Sequence, residues 1–383
     1  MRTLALIFLI CTFACAAWAD LTVERPGQVE TLPVPYPKHW FWALDSAFDH
    51  FLDGRAILMD ADGATLREQR KGMVNADFMA DFAESERRGE LYVAETFFDH
   101  GHRGARSDSI TVYDKATLGA IADIALPAGK RANMIPDKYL FTFIGQEQFL
   151  LVYNFTPATS VTVVDVAARR VVNDISLPGC ALLFPTGALG FSSLCNDASM
   201  ITFRLDAKGR VAGTDVIKPF FDIQKDALFE NPGIIGGIAY FPTFGGNVQE
   251  IDLSGEQARL GNRWSLLDAA ARKKNWRPGG MNPAGVDAAG RFYVLMHAHG
   301  KEGSHKDDGT EVWVFDVKQR KRVQRIVLKN PGFTIELTRD ADPLLLVVSR
   351  KMNVDVYSAS KGEYLRTLKE FGQETPLVLH AVR

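Results

Sequence analysis

The sequence is poor in most features that would announce a chemistry, a membrane or a nucleic acid. Beyond the first 17 residues no apolar run approaches the ~20 residues that a membrane-spanning helix requires. Lys and Arg number 44 against 46 Asp and Glu, a formal charge of −2, and the two signs alternate along the chain. No basic stripe is left to neutralise phosphates, which disfavours nucleic-acid binding. No Gly-x-Ser-x-Gly elbow, P-loop, Cys-x-x-Cys-His or His-Glu-x-x-His stretch occurs, so the usual signatures of serine hydrolases, nucleotide hydrolases, c-type haem and zinc peptidases are missing. Helical periodicity is nearly absent as well. One candidate remains at Ser265–Trp276, with Ser265 as the expected N-cap, Asp268 at the capping-box position and Pro278-Gly279-Gly280 as the stop. Cysteine is scarce, with four in 383 residues.

What is present begins with an address. "MRTLALIFLICTFACAAWAD" has a positive charge at Arg2, an apolar core from Leu4 to Ala17 and the small-x-small pattern Ala17-Trp18-Ala19 before Asp20. This reads as a secretory signal over residues 1–19, leaving an exported chain of 383 − 19 = 364 residues. Cys11 and Cys15 leave with it. Cys180 and Cys195 remain, and an even pair in an oxidising compartment predicts a disulfide. Closing a loop of that length contributes roughly 3 kcal/mol in the chain-entropy model. Between the signal and the body, residues 20–38 hold Pro26, Pro33, Pro35 and Pro37 and read as an extended arm.

The body repeats itself. "VTVVDVAARRVVNDISL" at Val161 has counterparts starting at Ala56, Ile110, Met200, Asn247, Glu311 and Asn353, seven in all. Each is a pair of alternating apolar strands around a polar turn. An Asp ends the first strand in six (Asp60, Asp114, Asp165, Asp206, Asp252, Asp316), and Ser358 stands there in the seventh. Successive positions are 41 to 64 residues apart. A period of this size with about four short strands per unit is the mark of a β-propeller. The expectation is an all-β, seven-bladed propeller over residues 39–383 as one domain. Near-continuous apolar stretches such as "QFLLVYNF" and "PLLLVVS" suit strands covered on both faces.

Candidate sites are few. His297, His299 and His305 in "HAHGKEGSHKDDG" could ligate a metal, but without a second ligand cluster they read as polar surface, and no metal is expected. Asn154-Phe155-Thr156 matches a glycosylation sequon inside an apolar strand, and reads as chance. Aromatic residues gather near turns at Trp40, Phe41, Trp42, Phe97, Phe98 and Trp276. Aromatics and Arg are enriched at partner interfaces.

Several segments together resemble the heavy (α) subunit of periplasmic quinoprotein amine dehydrogenases: "ETFFDHGHRGARSD" (residues 95–108), "LPGCALLFPTG" with Cys195 following, "NWRPGG" (residues 275–280) and "HKDDGTEVWVFD". "HWFW", "LVYNFTPATSVTVVDV" and "KRVQRIVLKNP" look closer to the aralkylamine (aromatic amine) type than to the methylamine type. The resemblance implies a seven-bladed propeller in a heterotetramer of two heavy and two light chains. It places tryptophan tryptophylquinone on the light chain and no catalytic residue or cofactor on the heavy one. It implies oxidation of a primary amine with water to an aldehyde and ammonia, electrons passing to a small blue copper protein, all in the periplasm. The family's channel-facing side chain, after a Gly on the second blade, falls at Gly72-Met73. The methylamine type has an aromatic there, and flexible Met admits bulkier amines. Phe97, Phe98, Arg103, Arg106, Trp276 and Arg277, within the most family-like segments, are the candidate light-chain interface.

Two further classes fit the repeats alone: a stand-alone periplasmic propeller that binds a partner, and a propeller hydrolysing small molecules at its central channel. Within the enzyme class, methylamine is the alternative substrate. A co-purifying short, cysteine-rich, tryptophan-containing chain separates the first reading from the others.

Overall fold

Each of the seven repeat copies folds as an antiparallel hairpin, and the turn residue explains why. The Asp165 carboxylate accepts from the Ala168 N–H at 2.9 Å, and Asp60, Asp114, Asp206, Asp252 and Asp316 accept from backbone N–H groups two to four residues on. Ser358 does the same through its hydroxyl, accepting from Lys361 N at 3.3 Å. These side chains bend the backbone and satisfy donors that a tight turn would strand.

The computed structural model describes residues 31–46, 53–77, 79–132, 135–370, 372 and 375–382. Leu32–Arg383 forms one compact unit. The signal segment and residues 20–30 of the arm lie outside the described residues. The arm's remainder is held down: Leu32 N donates to Ala116 O at 2.8 Å, and buried Tyr36 donates its hydroxyl to Lys115 O at 2.6 Å.

Five sheets of four antiparallel strands are separate blades. The first is closed by the chain's own end, because Thr375–Ala381 pairs with Trp40–Ser46 on the side opposite Arg55–Asp60. That pairing ties the last strand to the first and leaves no open end to the ring. Seven separate blades are not observed. The sixth and seventh hairpins belong to one eight-stranded sheet, since strand Lys321–Leu337 runs 17 residues and pairs with Gly309–Asp316 in its first part and Leu344–Ser349 in its second. The sequence marks a break there with Asn330-Pro331-Gly332, but the strand passes through it.

Packing occurs between sheets. Trp42 meets Phe82 across the first and second blades, Tyr92 meets Phe143 across the second and third, and Phe184 meets Phe241 edge-on across the fourth and fifth, with ring centroids 5.1–5.3 Å apart. Both faces of the inner strands are therefore covered, which is why Phe149–Asn154 and Leu344–Ser349 are buried throughout. Cys180 and Cys195 are register partners on the first two strands of the fourth blade, and they are disulfide-bonded. The predicted helix is shorter than expected. It spans Ala269–Lys273 with Asp268 as N-cap accepting from Ala271 N, while Ser265 ends the preceding strand and Leu266 and Leu267 are buried anchors.

Candidate functional site

In a ring of four-stranded antiparallel sheets, connections between the second and third strands share a face with those linking one blade to the next. Contacts trace that face around the ring. Arg106 Nη2 donates to Arg131 O at 2.9 Å, Phe155 N to Lys130 O at 2.9 Å, Asn196 N to Gly179 O at 2.9 Å, and the Phe244 ring stands edge-on to His305. A hairpin of the second blade projects on that face. Its strands Glu90–Phe98 and Arg106–Asp114 have nine residues each, and Phe97 and Phe98 pair with Ser107 and Arg106 near the tip. Phe97 is 40 % exposed.

At the root of this hairpin lies a buried polar cluster. Arg131, on the connection between the second and third blades, is fully buried. Its guanidinium donates to Thr96 Oγ1 at 2.8 and 3.1 Å and to Met79 O at 3.0 Å, and it faces Asp81 at 3.4 Å and Asp77 at 3.6 Å. Thr96 in turn donates to Asp108 at 2.6 Å, which accepts from Arg106 Nε at 3.0 Å and Gly129 N at 2.7 Å. Glu95 accepts from Thr111 at 2.5 Å. Burial dominates the titration here and disfavours carboxylate charge. It pushes Asp81 up to about 7 despite Arg131, Glu95 up to about 7 despite Thr111 and Arg131, and Asp77 well above the usual range. One oxygen each of Asp77 and Asp81 is buried without a hydrogen-bond partner. The arrangement can hold protons and can fix the hairpin root, and it positions no nucleophile.

A cavity of about 830 Å³ is lined by inner segments from within residues 82–86, 138–143, 185–187, 231–237, 282–286, 336–339 and 380–381, and by Leu253 and Ser254 from a turn of the fifth blade. Buried Glu336 is paired there with Lys138 and with Arg339 at 3.6 Å. Burial favours its neutral form, but the two cations outweigh it and hold the carboxyl below its usual range.

The sequence candidates divide. Phe97, Phe98, Arg103 and Arg106 are brought together on the one hairpin, with Arg103 exposed and Arg106 turned inward onto Asp108. Trp276 and Arg277 do not join them. Trp276 is buried against Trp313 with ring centroids 5.0 Å apart, covered by the Arg325 guanidinium, and Arg277 donates to Trp276 O at 2.9 Å. Trp276 is thus a core residue and has no free face to offer a partner. Met73 lies on Arg70–Asn75, the outer strand of the first blade and not of the second, and is 43 % exposed. Among the three histidines, His297 is buried at a strand end, with its Nδ1 3.2 Å from the acceptor Ala298 O. No group of three metal-ligating side chains converges among the described residues. The Asn154 amide is buried and donates to Ser160 and Thr162. Sequence reasoning missed Arg131, Lys138 and Glu336, because their contacts join residues far apart along the chain, Arg131 with Thr96 and Asp81 and Lys138 with Glu336, and no local pattern marks them.

Comparison with known proteins fits this architecture. Among solved structures the fold is similar to a putative 6-phosphogluconolactonase from Bacteroides fragilis (TM-score 0.60, 12% identity, covering 91% of this chain and 99% of that one). It is also similar to the dihydro-heme d1 dehydrogenase NirN (TM-score 0.52, 14% identity, covering 90% and 75%). At such identities the likeness concerns the fold alone. Closer in sequence are the methylamine dehydrogenase heavy chain of Paracoccus versutus, 28% identical over 83% of this chain and 74% of that protein, and that of Methylophilus methylotrophus, 27% identical over 76% and 72%. The family model for the methylamine dehydrogenase heavy chain matches residues 49–382, nearly the whole propeller, and this chain belongs to that family.

Proposed function

We propose that this chain is the scaffolding heavy subunit of a periplasmic amine dehydrogenase whose tryptophan tryptophylquinone is carried by a small light chain. The observation that carries the reading is the family match running through nearly every blade, from residue 49 to residue 382. The overall reaction is oxidation of a primary amine with water to an aldehyde and ammonia, two electrons leaving through a blue copper protein. This chain's tryptophans fit a structural part. Trp276 and Trp313 lie side by side, but they are buried beneath Arg322 and Arg325 as packing. The chain's own residues hold the partner and shape the path of the amine. The exposed Phe97 on the projecting hairpin is the leading anchor for the light chain, in a heterotetramer of two heavy and two light chains. The Met73 thioether, where the methylamine type has an aromatic, favours an aromatic amine over methylamine.

The eight-stranded sheet serves as two blades in this reading, giving seven units. Supporting this are the seven hairpins, two of them within the eight-stranded sheet, and the cavity shared by inner segments of every sheet. Purifying the native complex tests the whole proposal. A co-purifying small, cysteine-rich chain with a quinone absorption band, and faster turnover of 2-phenylethylamine than of methylamine, is the expected result. Absence of any chromophoric partner would sink the enzyme reading, while preference for methylamine would sink the substrate assignment alone.

A further inference from the structure

The seam where the ring closes holds a charged contact that amine oxidation does not use. His39 directly precedes the first strand, on the face opposite the projecting hairpin. Its Nδ1 lies 2.6 Å from Asp62 Oδ2, in the turn after the second strand. Its Nε2 faces the eight-stranded sheet, with Asp342 O at 3.3 Å and Asp340 Oδ1 at 3.4 Å. Both ring nitrogens therefore meet acceptors. A neutral imidazole donates from one nitrogen and presents a lone pair at the other. Here that lone pair would point at a carboxylate or a carbonyl, whereas the imidazolium donates to both sides.

The surrounding charges agree. Asp60 is paired with Lys71 at 3.3 Å, and Asp62 with Arg366 at 3.1 Å. Arg366 comes from the last strand of the eight-stranded sheet and also donates to Ala61 O at 2.7 Å. Asp340 accepts from Thr338 at 2.7 Å and from Asp342 N at 2.8 Å, which keeps it an anion. Lys38, His39, Asp60, Asp62, Asp340 and Asp342 line one cleft of about 520 Å³. Four carboxylates there face Lys38, Lys71 and Arg366, so a charged His39 makes the count even. Partial burial of the ring favours its neutral form, but Asp62 and Asp340 reverse this and raise its pKa above the ordinary 6.5.

We propose that His39 is a proton-operated latch on propeller closure, joining the first blade to the eight-stranded sheet as imidazolium and releasing that tie when it loses its proton. Since the folded-state pKa is raised, the stabilisation is complete below about 6.5 and is lost as pH rises through the folded value. The seam then loosens as pH rises through that folded value. It is a local effect, because the main-chain pairing of Trp40–Ser46 with Thr375–Ala381 persists.

The test uses the intact native assembly. Histidine ring resonances, with His39→Gln to assign the signal, give the His39 pKa. Hydrogen exchange, corrected for intrinsic pH dependence, is followed in residues 40–46, 338–344 and 375–381 from about pH 5.5 to about pH 8.5. The expected result is a His39 pKa above 6.5 and a roughly threefold or greater rise in seam exchange across it. The rise should be absent in His39→Gln, whose exchange is fast throughout, and the His39 pKa should fall in Asp340→Asn. The proposal is overturned if wild-type His39 titrates at or below its ordinary value, if seam exchange shows no step, or if the same step persists in His39→Gln. The seam exchange of the wild-type protein needs no variant to fold.

Discussion

At the scale of single residues the most consequential fact is that one buried guanidinium serves too many carboxylates. Asp77, Asp81 and Glu95 surround Arg131, and desolvation raises all three. A carboxyl whose folded pKa exceeds its unfolded one lets the native state hold the extra proton, so stability is complete below the unfolded pKa and is lost as pH rises. The window runs from about 4, where unfolded Asp and Glu ionise, to about 7, where Asp81 and Glu95 ionise in the folded chain. We therefore expect the chain's unfolding free energy, and with it the urea midpoint, to fall as pH rises between those limits, at ~1.4 kcal/mol per pH unit for each group that ionises. Asp81→Asn and Glu95→Gln should each flatten the profile. A midpoint that rises with pH over this range, with both variants parallel to wild type, would contradict the assignment. Trp276 illustrates the opposite lesson. Its burial against Trp313 predicts that Trp276→Ala costs ~3–5 kcal/mol of the chain's own stability. Normal thermal stability with impaired assembly would restore it to the interface.

Hairpins are the elements in which the sequence speaks most clearly. A turn Asp that bonds its own backbone is a local device, so Asp206, Asp252 and their counterparts were legible without knowing any partner. Replacing Asp206 by Ala, which removes the acceptor of the Lys208 and Arg210 N–H groups, should lower the thermal midpoint slightly. Asp206→Ser should recover part of it, as Ser358 does the same work naturally. A null effect in both would mean that water replaces the bond. The disulfide was equally legible from the two cysteines beyond the expected signal, and Cys180→Ser with Cys195→Ser should remove roughly 3 kcal/mol. What failed to read was non-local. Whether residues 329–333 end one strand and begin another depends on whether neighbouring sheets align, and Asn330-Pro331-Gly332 signals a break that the strand does not make. The helix start moved from Ser265 to Asp268 because strand pairing claimed Ser265 first, with Ser265 opposite Asn247. Likewise Arg131, in "GKRANM", looks like surface charge until Thr96 and Asp81 are brought to it by folding.

For the whole molecule, the ring geometry decides which candidates can act together. Thr96 N donates to Asp77, and Tyr113 donates to Asn75 O at 3.3 Å, so the outer strand carrying Met73 and the hairpin carrying Phe97 meet at the junction of the first and second blades. Met73 is 43 % exposed there and Phe97 is 40 % exposed, whereas Trp276 is buried in a separate cluster. A side chain with area still to bury can anchor a partner, and one already buried cannot. Of the sequence's interface candidates, the projecting hairpin is thus the part free to bind. On the proposed reading, Phe97→Ala should weaken association with the light chain by roughly 1–3 kcal/mol if the ring is an anchor. The chain's own unfolding should change less than in Trp276→Ala, because Phe97 is 40 % exposed in the monomer and Trp276 is buried. Met73→Phe, restoring an aromatic, should leave association intact and lower turnover of bulky aromatic amines relative to methylamine. Titrating the purified light chain against each variant, followed by kinetics with both amines, separates the two roles. If Phe97→Ala binds normally and Met73→Phe leaves the ratio of the two amines unaltered, the light chain sits elsewhere on the ring.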